Sequence, residues 1–130
     1  THSFELLKSG FGIVAVVAPG IAFPGQPYDV RLSVIDFTLD ANKTPKGTVS
    51  MKITDEAGKD VSPGISTKLP EALDNRFDAK KDNILPFYYG ILPNRPGRFN
   101  VELHAFDAIG NNSSVVRYPL VVLDINALLK

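Results

Sequence analysis

The chain contains no cysteine and no tryptophan, and only two histidines and one methionine among its 130 residues. Without cysteine there is no disulfide framework, thiolate metal site or cysteine nucleophile, so the fold has to stand on its apolar core. Long apolar runs are also missing. The longest, Ile13 to Ala18, falls well short of the about 20 residues that a bilayer-spanning helix needs, so no membrane span is expected. Neither sign of charge dominates: 14 basic residues balance 14 acidic ones, and no basic cluster exceeds the pair Lys80-Lys81. That balance gives no electrostatic footprint for nucleic acid, which is not expected as a partner. There is no nucleophile elbow, zinc-binding His-x-x-x-His, phosphate loop or dinucleotide fingerprint, and so no named residues from which to assemble a catalytic mechanism. No enzyme activity and no cofactor are expected.

What is present is turn chemistry and alternation. With 44% hydrophobic residues, 22% charged, 10 Gly and 10 Pro, the composition is that of a folded, turn-rich chain. Its length suits one domain over residues 1–130. A start at Thr1 without methionine reads as a mature or excised piece of a longer polypeptide, in keeping with a secreted or periplasmic setting.

Strand signals recur along the chain. Phe11 to Ala18 is closed by Pro19-Gly20, and Pro24-Gly25-Gln26-Pro27 launches a segment in which Tyr28, Val30, Leu32 and Val34 alternate with polar residues. Val49, Met51 and Ile53 alternate likewise, and Asp55 to Lys59 turns toward a short strand near Val61. Ile84 to Ile91 is an aromatic strand with Leu85, Phe87 and Tyr89 on its core face. Pro86 there removes a ladder donor, which predicts a sheet edge or a bulge. The clearest signal is a hairpin: Phe99, Val101, Leu103 and Ala105 alternate with Arg98, Asn100, Glu102 and His104, followed by Gly110-Asn111-Asn112 and a second strand from Val115. The second set is expected to face water, so truncating Glu102 is expected to be nearly silent. Leu69 to Phe77 reads as a helical turn or a long connection. About seven short strands with no amphipathic helix predict an all-β, immunoglobulin-like antiparallel sandwich.

From Val17 to Leu123 the order of these signals resembles bacterial immunoglobulin-like and fibronectin III-like modules, and among them the MG2-type domains of macroglobulin-like surface proteins. The matching elements are Ala18-Pro19, Pro24-Gly25-Gln26-Pro27, Lys52-Ile53-Thr54-Asp55-Glu56-Ala57-Gly58, Pro96 to Val101 and Asp107-Ala108-Ile109-Gly110-Asn111. The chain lacks the cysteine pair and core tryptophan of antibody-type domains. The resemblance implies an extracytoplasmic adhesive or spacer module, without a particular ligand.

Few residues invite chemistry. His104 is read as an ordinary surface residue. Asp36, Asp40 and Asn42, and also Asp74, Asp78 and Asp82, have the oxygen chemistry of calcium ligands but not the spacing of an EF-hand, and are read as solvated loop groups; no metal is expected. Phe87, Tyr88 and Tyr89 offer a sugar-stacking platform, but alternation turns only Tyr88 outward. Asn42, Asn111 and Asn112 head glycosylation sequons in polar turns. Tyr88, Asn42, Asn111 and Asn112 are the expected contacts with a protein or flanking domain, the alternative being a carbohydrate-binding module.

Overall fold

The computed structural model describes residues 10–42, 44–61, 64–71 and 84–124. These form eight strands: β1 (Gly12–Val17), β2 (Ile21–Ala22), β3 (Tyr28–Ile35), β4 (Gly47–Asp55), β5 (Ile65–Leu69), β6 (Ile84–Ile91), β7 (Gly97–Asp107) and β8 (Asn112–Val122). No described helix is long and apolar enough to cross a membrane.

Two sheets pack face to face. The smaller has the order β1-β3-β6 and the larger β2-β8-β7-β4-β5. The chain crosses between them after β1: Ile21 and Ala22 pair in parallel with Val121 and Val122 of β8, while every other pairing is antiparallel. This is an immunoglobulin-like sandwich.

The core follows from the alternation. Val30, Leu32 and Val34 of β3, Val49, Met51 and Ile53 of β4, and Val101, Leu103 and Ala105 of β7 are all buried. Each fully buried Leu or Val contributes about 1.5–3 kcal/mol by leaving water. Leu85 and Tyr89 of β6 are buried too. Phe87 and Phe99 lie on the inward face but are only partly covered. Two tyrosine hydroxyls are anchored, one of them across the sheets. The Tyr89 hydroxyl donates across the sandwich to the Val49 carbonyl at 2.9 Å and bonds Thr67 Oγ1 at 2.7 Å, while that of Tyr28 donates to the Pro19 carbonyl at 2.7 Å. Burial pushes the Tyr28 hydroxyl up to about 12.

Several local expectations are corrected. The short strand near Val61 is only an isolated bridge between Thr54 and Asp60, with Val61 N–H donating to the Ile53 carbonyl. The strand itself is β5, where Ser66 and Lys68 alternate with Ile65, Thr67 and Leu69. Leu69 therefore ends a strand, and residues 72–77 of the expected helical turn lie outside the described residues. β1 is shorter than expected and carries a bulge between Val14 and Val17, with Ala15 at φ 53°. Pro86 sits on an edge strand, β6, as a strand proline is expected to.

Candidate functional site

Register places Ile35 and Ile84, Gly47 and Leu69, and Asp107 and Asn112 at one end of the sandwich, called here the upper end. Its loops are organised by carboxylates. Asp107 has no exposed surface. Its Oδ2 accepts from Thr38 N–H at 3.0 Å and its Oδ1 from Gly110 N–H at 3.2 Å, joining the loop after β3 to the β7–β8 turn. Burial alone raises the Asp107 carboxyl, but these bonds, with the Thr38 hydroxyl and the Ile109 amide, more than offset it and hold the group below its ordinary range. Asp40 makes an Asx turn, its Oδ1 accepting from Asn42 N–H at 2.8 Å and Thr44 N–H at 3.0 Å, while Lys46 pairs with Oδ2 at 3.7 Å. Asp40, offered by the sequence as a calcium ligand, is thus occupied by the fold's own donors. Asp74, Asp78 and Asp82 lie outside the described residues.

Asn42, Asn111 and Asn112 all lie at this upper end. All three are exposed, and Asn111 occupies the left-handed region at φ 54°, which asparagine tolerates. Ala108 N–H donates to the Lys46 carbonyl at 2.9 Å and fastens the two loops into one surface.

Tyr88 stands apart from them. It is 57% exposed on the outer face of the small sheet, opposite Arg31, whose guanidinium lies 5.6 Å from the ring centroid. Its hydroxyl bonds Asp29, and this bond pushes the phenol above its ordinary range, so that it ionises less readily. A shallow concavity beside it is lined by Ala15, Arg31, Ser33, Pro86 and Phe87.

The outer face of the large sheet holds the network the sequence reading missed. Glu102, expected to be solvated, is only 5% exposed. Its register partners are Lys52 on β4 and Arg117 on β8. Arg117 Nε donates to Oε2 at 2.6 Å, His104 Nε2 bonds Oε1, and Lys52 Nζ lies 3.6 Å from Oε1 and 3.6 Å from Asp60 Oδ1. The His104 bond, followed by the Arg117 bond and charge, outweighs burial and holds the Glu102 carboxyl at about 2. His104 is therefore a partner in this network. β7 is the middle strand of five, so long side chains on its neighbours close over its outward residues. The signal was available: pairing Asp107 with Asn112 across the hairpin turn puts Glu102 opposite Arg117.

Among the described residues, no group of three or more His, Cys, Asp or Glu side chains comes together to hold a metal ion. In fold the chain is similar to a superoxide reductase (neelaredoxin) from Ignicoccus hospitalis, at 13% identity over 91% of this chain and 86% of that one, with a TM-score of 0.56. It is similar to the PKD domain of an M14-like peptidase from a Thermoplasmatales archaeon, at 14% identity over 89% and 98%, TM-score 0.52. A third likeness is to the CARDB domain of a Pyrococcus furiosus protein, solved in complex with di-metal ions, at 11% identity over 88% and 86%, TM-score 0.51. No protein-family model matches the chain, and no curated protein matches it in sequence. Identities this low speak for the fold alone, an immunoglobulin-like β-sandwich.

Proposed function

We propose that this chain is a non-catalytic interaction or spacer module of a secreted or periplasmic protein. One observation carries the reading: the carboxylates of Asp40, Asp55, Asp107 and Glu102 are each engaged by donors of the fold itself. Such groups stiffen a scaffold and are not poised to act on a substrate. The upper-end loops, fastened by Asp107 and exposing Asn42, Asn111 and Asn112, have the properties of a contact surface presented by a rigid sandwich. The turn signals around Pro96-Gly97 and Asp107 to Asn111 support an MG2-type module within this class.

The test is photo-crosslinking in the source cells, with a photoreactive residue at Asn42, Asn111 or Asn112. A discrete adduct to one protein or neighbouring domain is expected from these positions. Adducts from a probe at Tyr88 alone, or from none of the four, contradict the reading.

A carbohydrate-binding role is favoured by one observation, the exposed Tyr88 ring held between Arg31 and Asp29. A glycan array tests it: binding that disappears in Tyr88→Ala supports it, and an array without signal sets it aside.

A further inference from the structure

The zero net charge conceals a segregation. Strand alternation puts Thr48, Ser50, Lys52 and Thr54 of β4, Ser66 and Lys68 of β5, Arg98, Asn100, Glu102, His104 and Phe106 of β7, and Ser113, Val115, Arg117, Pro119 and Val121 of β8 on the outer face of the large sheet. Four cations, Lys52, Lys68, Arg98 and Arg117, share that face and its rim with three carboxylates, Glu102, Asp60 and Glu56. Glu102 is buried beneath its partners, whereas the Arg117 side chain is 70% exposed, and Lys68 and Arg98 are exposed too. Arg117, Lys68 and Arg98 thus stand clear of the buried carboxylate, while the exposed Asp60 side chain is paired with Lys52. Beside them lie two exposed apolar side chains, Phe106 and Val115. Between the network and the turn at 56–58 there is a concavity of about 320 Å³ lined by Lys52, Thr54, Glu56, Asn100, Glu102 and Arg117.

We propose that the outer face of the large sheet docks an acidic protein surface, whose carboxylates meet the exposed Lys68, Arg98 and Arg117 while apolar groups cover Phe106 and Val115. Charge complementarity sets the sign of the partner. Apolar groups among the cations favour a protein over an anionic polysaccharide, which would have carboxylates or sulfates for the cations but nothing to bury Phe106 and Val115. Glu102 serves this surface by fixing Lys52 and Arg117 in position, so that less side-chain entropy is lost on docking. The proposal rests on the interaction-module reading but uses a surface other than the upper-end loops. A crosslink from Asn111 and binding at this face are therefore separate readouts, and either can fail alone.

The test measures binding of poly-L-glutamate and of heparin to the purified chain as salt is raised. Poly-L-glutamate is expected to bind with an affinity that falls as salt rises, and Lys68→Glu/Arg98→Glu is expected to weaken it by about tenfold or more, while Arg31→Glu on the opposite sheet leaves it within about twofold. If the charge reversal does not fold, Lys68→Ala/Arg98→Ala is measured instead, with a smaller loss expected. A further loss on Phe106→Ser supports the apolar contribution. Absence of binding, equal loss in Arg31→Glu and the face variant, or much tighter binding of heparin than of poly-L-glutamate overturns the proposal.

Discussion

Arg117 Nε donates to Glu102 Oε2 at 2.6 Å from the register position directly opposite on the next strand. Glu102 is thereby buried on the face of β7 that points away from the core, and its neighbour Leu103 is buried on the face that points in. Burial on both faces of the middle strand means that neither residue is a silent site.

Leu103→Ala is expected to cost about 2–5 kcal/mol through the cavity it leaves. Glu102→Ala is expected to cost less, about 1–3 kcal/mol, because Arg117, Lys52 and His104 lose a shared acceptor but still reach water. Urea unfolding of the two variants checks both figures. A midpoint unchanged in Glu102→Ala contradicts the network.

Acid sensitivity follows from the same carboxyl. Its folded value of about 2 lies below its ordinary value of 4.5, so the folded state binds this proton less readily than the unfolded one. The stabilisation it provides is fully present above about pH 4.5 and is lost as pH falls toward 2. Glu102→Gln is expected to be less stable than the native chain at neutral pH and to lose less stability over that interval. Asp107, also lowered, adds to the acid limb in both proteins, so the difference between the curves belongs to Glu102. Parallel stability curves from pH 5 to pH 2 contradict the assignment.

The sandwich was legible in the sequence where alternation and turn residues agreed, as in Tyr28 to Val34 and the hairpin through Leu103. It was not legible where pairing partners decide. β2 has two residues, too few for any periodicity, and exists because Val121 and Val122 offer it a parallel edge. β5 was hidden by the serine, threonine and lysine of Ser66-Thr67-Lys68, which become a strand by pairing with β4. Glu102 read as solvated because a strand pattern tells which face a residue is on, but not how many strands flank it. The closing of the upper end by Asp107 was equally hidden, because its partner Thr38 lies 69 residues away in the chain.

Close backbone approach makes a further test. A Cβ on Gly47 would collide with the Phe106 carbonyl oxygen across the β4–β7 ladder, a backbone contact that no side-chain rotation relieves. Gly47→Ala is expected to lower stability by about 3 kcal/mol, while Gly12→Ala, which meets nothing within 4 Å, is expected to stay within about 0.5 kcal/mol. Thermal unfolding distinguishes them, and equal midpoints contradict the β4–β7 register.

Tyr89 joins the sheets through a hydroxyl bonded to Val49 and Thr67. Tyr89→Phe keeps the ring but leaves the buried Val49 carbonyl without this donor, for an expected loss of about 1–2 kcal/mol. The same change at exposed Tyr88 is expected to be nearly neutral. Comparable losses in the two variants contradict the inter-sheet role.

An amide-resolved NMR titration of the chain with poly-L-glutamate, run beside one with a glycan mixture, tests most directly whether this molecule works by contact through a rigid surface. Shifts confined to residues 50–52, 66–68, 98–104 and 115–117 with poly-L-glutamate, and none with glycans, are predicted. Shifts centred on residues 29–33 and 86–88 with glycans, and none on the large sheet, contradict the account.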